Sequence, residues 1–250
     1  MKIYGLIGYP LTHSFSSAYF LQKFLSEEIT DCEYLNFPIS TIDELPEILI
    51  KFPEIKGLNI TIPYKEKVMS LLNEIDDTAF KIGAVNTIRI KKNHITGENK
   101  LTGFNTDVDG FLASLQEIIT PDIKNALVLG TGGAAKAVLY VLEKLQINSL
   151  IVSRNYGYNQ ITYQDLDEEI MNRCRLIINT TPLGTFPDTE RAPEIPYRFI
   201  TEGHILHDLI YNPTETLFMK KGKLHGARVK NGYQMLVEQA ERSWKIWNES

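Results

Sequence analysis

The sequence predicts an α/β protein of two domains, each built on a mostly parallel sheet, with the second domain doubly wound. Three features lead there. Short apolar runs rich in β-branched residues alternate with helical patterns along the 250-residue chain. A glycine-rich turn, Gly130 to Ala135, joins a strand pattern directly to a helix pattern. With 43% hydrophobic residues the chain holds apolar material for two cores, and its apolar runs fall into two series separated near Pro121.

In the first series, strands are expected over 3–8, 33–38, 58–62 and 85–90, where β-branched and apolar residues cluster. Helices are expected over 16–27, 43–51 and 65–72. A hairpin over 95–102 turns on Gly97. Asn105, Thr106 and Asp107 are helix-capping types ahead of an apolar-periodic helix over 108–118. The second series gives strands over 126–129, 150–153, 176–179 and 205–210 and a helix over 133–145. The last helix places Tyr233, Leu236, Val237, Ala240, Trp244 and Trp247 on one stripe at spacings of three and four. The domains expected are 1–104, joined by the last helix at about 233–250, and 105–232.

Composition narrows the function. A net charge of −5 gives no basic footprint for nucleic acid. No stretch approaches the roughly 20 apolar residues of a membrane span, and the first ten residues lack the features of a signal peptide. A cytoplasmic location is expected. Cys32 and Cys174 lie apart from other cysteines and from histidines, so neither a disulfide framework nor a metal site is expected.

Two groups carry chemistry. Gly57 to Lys65 reads as a buried strand running into a helix that holds Lys65 in its first turn. A solvated lysine fits that placement. So does a lysine poised to exchange a proton, because desolvation and a helix N-terminal dipole both disfavour an ammonium. Asp107 either caps a helix or meets Lys65 where the two domains join, and such a pair would shuttle a proton while a dinucleotide moves a hydride.

The second group is the strand, Gly130-Thr131-Gly132-Gly133-Ala134-Ala135 loop and helix, in the order of a Rossmann-like dinucleotide site. Gly130 permits the tight turn, Gly132 the approach of pyrophosphate and Ala135 close helix packing, and the helix N-terminus offers N–H donors. The next strand ends Ser153-Arg154-Asn155 in place of an acidic residue. Arginine and serine suit a 2′-phosphate, which favours NADP over NAD; a surface arginine is the alternative.

Taken together and in order, these and further segments resemble the shikimate dehydrogenase family over nearly the whole chain. The motifs are Gly8-Tyr9-Pro10-Leu11-Thr12-His13-Ser14-Phe15-Ser16, Gly57 to Lys65, Ile82-Gly83-Ala84-Val85-Asn86-Thr87, Gly103 to Asp107, Gly130 to Ala135 and Ser153-Arg154-Asn155. They continue with Asn179-Thr180-Thr181-Pro182-Leu183-Gly184, Asp208-Leu209-Ile210-Tyr211-Asn212-Pro213 and Gly232-x-x-Met235-Leu236-x-x-Gln239-Ala240.

The resemblance implies reversible NADPH-dependent reduction of 3-dehydroshikimate to shikimate, with Lys65 and Asp107 catalytic. It implies a substrate site of Ser14, Ser16, Thr61, Asn86, Tyr211 and Gln239, the two serines holding the carboxylate. The NADP site would comprise Gly130, Thr131, Gly132, Gly133, Ala134, Ser153, Arg154, Asn179, Thr180 and Gly232, with no metal and with a monomer or homodimer as the working form. A quinate or dual quinate/shikimate dehydrogenase using NAD is the nearest alternative, and a cofactor-binding sensor without activity is another. The chain departs from the family at Ser17-Ala18-Tyr19-Phe20, where Pro-x-x-His-Asn is usual; loss of the proline predicts a less rigid entry to the first helix.

Overall fold

Runs such as Lys2–Gly8 and Ile55–Ile60 bury nearly every apolar side chain on alternate faces, and they form the centre of a sheet. The structure, a computed structural model, describes residues 1–11, 15–92 and 97–249. By internal contacts the chain divides into Met1–Asp107 with Gln239–Ser250, and Val108–Glu238. It crosses between these units inside two helices, α4 (Asp107–Gln116) and α8 (Tyr233–Asn248), a few residues beyond the 104/105 and 232/233 crossings expected.

The first unit carries β1 (Lys2–Gly8), β2 (Cys32–Pro38), β3 (Ile55–Ile60), β4 (Glu74–Ile75), β5 (Thr87–Lys92) and β6 (Asn99–Phe104), in the sheet order β2-β1-β3-β5-β6-β4. Its outer pairings are parallel, whereas β5 runs antiparallel to both β3 and β6. Helices α1 (Phe15–Ser26), α2 (Leu45–Lys51) and α3 (Asp77–Ile82) complete it. Strand alternation sorts the side chains. Leu58, Ile60, Ile88 and Ile90 join one core with Ile7, Phe37 and Leu45. On the opposite face Tyr4, Phe20, Phe24, Ile246 and Trp247 form an aromatic layer beneath the end of α8.

The second unit carries β7 (Asn125–Leu129), β8 (Asn148–Ser153), β9 (Gln160–Thr162), β10 (Leu176–Asn179), β11 (Ile205–Asp208) and β12 (Arg228–Lys230), every pairing parallel. Their order, β12-β11-β10-β7-β8-β9, is that of the doubly wound dinucleotide-binding fold, with its switch point between β7 and β10. Val128 and Ile178 face one core and Leu127, Leu129 and Ile177 the other, so these strands are buried on both sides. Helices α5 (Gly133–Lys144), α6 (Glu168–Arg173) and α7 (Leu217–Leu224) lie along the chain between the strands.

Three expectations need correction. No α-helix covers 65–72: a 3₁₀ turn spans Lys67–Leu71 and Lys65 precedes it. The Lys65 carbonyl, which a helix would use internally, instead accepts the Val85 N–H at 2.7 Å, so the ladder never propagates. The hairpin pairs β5 with β6, Lys92 opposite Asn99, so its first arm is the strand expected over 85–90; residues 93–96 lie outside the described residues. On α8 the buried line is Met235, Gln239, Ala240, Ser243, Ile246 and Trp247, while Tyr233 is 55% exposed. That line includes two polar residues, Gln239 and Ser243, and Ser243 hydrogen-bonds to Asn59 and Thr87 below the helix.

Candidate active site

Lys65, Asn86 and Asp107 are far apart in sequence and meet at one edge of the first sheet. β3, β5 and β6 are neighbours, and because β5 runs antiparallel, the ends of β3 and β6 lie beside the start of β5. The turn after β3 carries Lys65, the residue before β5 is Asn86, and α4 begins at Asp107 soon after β6. Asn86 is locked in place through its backbone, accepting from Ile60 N at 2.8 Å and donating to Phe104 O at 3.0 Å.

The side chains then divide the Asp107 carboxylate. Lys65 Nζ donates to Oδ2 at 2.5 Å and Asn86 Nδ2 to Oδ1 at 2.8 Å. The lysine and aspartate side chains are 18% and 9% exposed, so the pair sits in a shielded but reachable position. A helix dipole does not act on Lys65; Asp107 is its electrostatic partner. Asn86 Oδ1 accepts the Thr106 N–H at 2.7 Å, which fixes the carboxamide with its NH₂ toward Asp107.

Thr61 is half-buried in the turn after β3, its N–H donating to Ile7 O at 2.9 Å. Ser16, in the first turn of α1, hydrogen-bonds Tyr34, whose OH donates to Asn59 Oδ1 at 2.8 Å. Burial pushes the Tyr34 phenol upward, which keeps it a neutral donor. Gln239 is buried on α8. Ser14 lies outside the described residues.

Within α1, the residues at the departure Ser17-Ala18-Tyr19-Phe20 make contacts to β2; the entry to the helix lies outside the described residues. Ser17 Oγ donates to Asn36 Oδ1 at 2.6 Å. The Phe20 ring, fully buried, stacks on Tyr34 with centroids 4.6 Å apart.

At the switch point of the second unit, Gly130 has φ +109°, which favours glycine, and an added Cβ would lie 2.8 Å from Thr180 Oγ1. Gly132 is the N-cap of α5 without a side-chain hydrogen bond, so the helix's first N–H groups receive no side-chain acceptor there. Thr131 and Gly132 are exposed, Gly133 and Ala134 half-buried, and Ala135 fully buried against the core. These residues fit a pyrophosphate: an open helix N-terminus behind a loop without side-chain obstruction. Beyond β8, Arg154 is exposed, whereas the Ser153 hydroxyl donates to the Asn155 carbonyl within its own turn.

Asn179 and Thr180 serve the scaffold. Asn179 Nδ2 donates to Asp208 Oδ1 at 3.0 Å and its Oδ1 accepts from Thr181 Oγ1 at 2.6 Å; Thr180 Oγ1 donates to Leu129 O at 2.7 Å. Gly232 permits a close backbone approach, since a Cβ there would fall 2.0 Å from Leu209 O. Tyr211 is half-buried, and burial raises its phenol.

Sequence reasoning did not bring together Asn59, Thr87, Thr106 and Ser243, which form a buried polar cluster beside Asn86. The one available signal was polar residues at positions whose period points inward, Ser243 lying one helical turn beyond Gln239. It also missed Asp208, which is fully buried and accepts from Asn179 Nδ2, Thr216 Oγ1 at 2.5 Å and Ile210 N at 3.1 Å. Burial pushes its carboxyl up to about 6 against those bonds. His207, stacked on Phe111, is held neutral by burial, which pushes it down to about 3. Among the described residues no group of three or more His, Cys, Asp and Glu is placed to hold a metal ion, and no helix is long and apolar enough to cross a membrane.

Known proteins are similar to this chain in sequence and fold. Residues 6–88 match the family described as the shikimate dehydrogenase substrate binding domain. A shikimate dehydrogenase (NADP(+)) of Methanococcus maripaludis is 39% identical over 264 residues, covering 98% of this chain and 91% of that one. The shikimate dehydrogenase of Aquifex aeolicus superposes with a TM-score of 0.82 at 34% identity, over 99% of this chain and 92% of that one. The shikimate 5-dehydrogenase of Thermus thermophilus, solved with NADP(H) and shikimate, gives 0.84 at 29% identity over 99% and 94%. Similarity of this degree along nearly its whole length shows that the chain belongs to the shikimate dehydrogenase family.

Proposed function

We propose that the protein catalyses the reversible, NADPH-dependent reduction of 3-dehydroshikimate to shikimate. The observation that carries this reading is the Lys65–Asp107 contact of 2.5 Å, with Asn86 on the other carboxylate oxygen. The nicotinamide, when bound, supplies or accepts the hydride. Lys65 gives its proton to the substrate oxygen as the carbonyl becomes a hydroxyl, and takes it back in the reverse direction. Asp107 holds the lysine Nζ in place and balances its charge, while Asn86 holds Asp107.

Ser14 and Ser16 bind the substrate carboxylate, and Thr61, Asn86, Tyr211 and Gln239 orient the ring hydroxyls. Gly130, Thr131, Gly132, Gly133 and Ala134 with the start of α5 cradle the pyrophosphate of NADP, Arg154 pairs with its 2′-phosphate, and Ser153, Asn179, Thr180 and Gly232 shape the loops around them. We assign residues 1–104 with the last helix to substrate binding and 105–232 to the cofactor. The working form is a monomer or homodimer in the cytoplasm, in keeping with two unpaired cysteines.

The test follows nicotinamide absorbance as the purified protein meets shikimate or quinate, each with NADP and with NAD. Turnover confined to shikimate with NADP is expected. Equal or faster turnover with quinate or NAD would replace this reading with the quinate enzyme, and silence in all four would overturn catalysis.

A further inference from the structure

The polar cluster under α8 has a direction. Ser243 is fully buried, and its Oγ lies 2.9 Å from Gln239 O, 2.9 Å from Asn59 Nδ2, 2.8 Å from Thr87 Oγ1 and 3.2 Å from Thr106 Oγ1. A serine hydroxyl has one proton and two acceptor lone pairs. Gln239 O can only accept, so it takes the Ser243 proton. Asn59 Nδ2 can only donate, so it fills one lone pair. The second lone pair is left for a threonine proton, and Thr87 is the nearer.

Once Thr87 donates to Ser243, it has no proton for Asn86 Oδ1, 3.2 Å away, and becomes an acceptor for Thr106 Oγ1 at 3.1 Å. Thr106 Oγ1 in turn accepts from Asn86 Nδ2 at 3.1 Å and gives its own proton to Thr87, the nearer of two acceptors, since Asn86 Oδ1 at 3.2 Å already takes the Thr106 N–H. The result is one line of donors running Asn86 to Thr106 to Thr87 to Ser243 to the Gln239 carbonyl. The other proton of the Asn86 NH₂ goes to Asp107 Oδ1. With Asp107 Oδ1 occupied in this way, Oδ2 is the oxygen presented to Lys65.

We propose that Ser243 is a positioning residue for the Lys65–Asp107 pair, acting through Thr87, Thr106 and Asn86. The helix backbone is the sink that gives the line its direction. Without the Ser243 hydroxyl, the Thr87 proton turns back toward Asn86 Oδ1 or Thr106, the line loses its single order, and the Asn86 grip on Asp107 loosens. As a role in proton transfer this rests on the function proposed above; as a statement about Asn86 it does not.

The experiment compares the parent with Ser243→Ala, Thr87→Val, Thr87→Ser and the double variant Ser243→Ala/Thr87→Val. Two measurements are made: steady-state kinetics, giving kcat and the KM values for shikimate and for NADP, and the solvent exchange of the Asn86 side-chain NH₂ by NMR. Ser243→Ala and Thr87→Val should each lower kcat by about fivefold with KM for NADP unchanged, and speed Asn86 exchange by a similar factor. The double variant should be no worse than either single one, since both break one line. Thr87→Ser should behave as the parent.

Parent kcat together with parent Asn86 exchange in Ser243→Ala would overturn the proposal. So would additive losses in the double variant, or a loss in Thr87→Ser equal to that in Thr87→Val. If Ser243→Ala does not fold, the Thr87→Val and Thr87→Ser pair decides alone. If the parent turns over no shikimate, the function proposed above fails, and the exchange measurement still decides the role of Ser243.

Discussion

Replacing Lys65 by alanine removes the ammonium that Asp107 Oδ2 accepts at 2.5 Å. Turnover should fall by about 10²–10⁴-fold, the usual weight of a positioned acid–base group, while the affinity for NADP stays near that of the parent because the phosphate loop lies in the other unit. Lys65→Arg should fail as well, since a guanidinium keeps its proton at any working pH. Wild-type rates in either variant, measured at saturating substrate, would remove Lys65 from the mechanism. Asp208 makes a second prediction at this scale. Burial raises its carboxyl to about 6 from an ordinary value of 3.8. A raised carboxyl binds its proton more tightly when folded, so its contribution to stability is whole below about pH 4 and is lost as pH rises through about 6. The loss amounts to about 3 kcal/mol. Asp208→Asn keeps the shape without the charge, so its Tm relative to the parent should climb by about 5 °C or more between pH 4 and pH 7. A constant difference across that range would show that Asp208 is not the group responsible.

Between β12 and α8 the chain passes so close to Leu209 that a Cβ on Gly232 would stand 2.0 Å from its carbonyl oxygen. The obstacle is backbone and cannot rotate away, so Gly232→Ala should cost about 2 kcal/mol or more, read as a lowered urea midpoint with an unchanged slope. The same elements show what was legible locally. β10 and β7 were readable because strands buried on both faces are continuous apolar runs. The α3, α6 and α7 segments were not, being short and rich in charged residues, with Asp76, Asp167 and Thr216 caps as their main local signal. The turn at Lys67–Leu71 read as a helix because its residues favour one; what ended it was a bond from Val85 to the Lys65 carbonyl, which no local pattern contains. The buried face of α8 was misread for a related reason. Hydrophobic periodicity cannot place Ser243 inside when its partners lie on β3, on β5 and just ahead of α4.

At the scale of the molecule, the last residues belong to the first unit although they follow the second in sequence. Ile246 and Trp247 complete its aromatic layer, with the Trp247 ring stacked on Tyr4 at 4.9 Å and its Nε1 donating to Ile88 O at 3.0 Å. Ending the chain at Glu238 should therefore strip hydrogen-exchange protection from β1, β3 and β5 while β7 and β10 keep theirs; equal protection in both units would show that the segment is dispensable. By itself the sequence determined the α/β class, the doubly wound second half and the glycine-rich loop, because apolar periodicity and glycine-rich turns act over a few residues; it offered Lys65 and Asp107 as a pair, and Asn86 joined them through the family resemblance. Only the tertiary structure decided how those three share one carboxylate, that Asn179 and Thr180 brace loops, and that Asp208 and Ser243 matter at all. Each of those outcomes depends on which strand ends lie side by side, and a buried polar group has no local signature until its partner, often more than a hundred residues away, is brought within hydrogen-bonding distance.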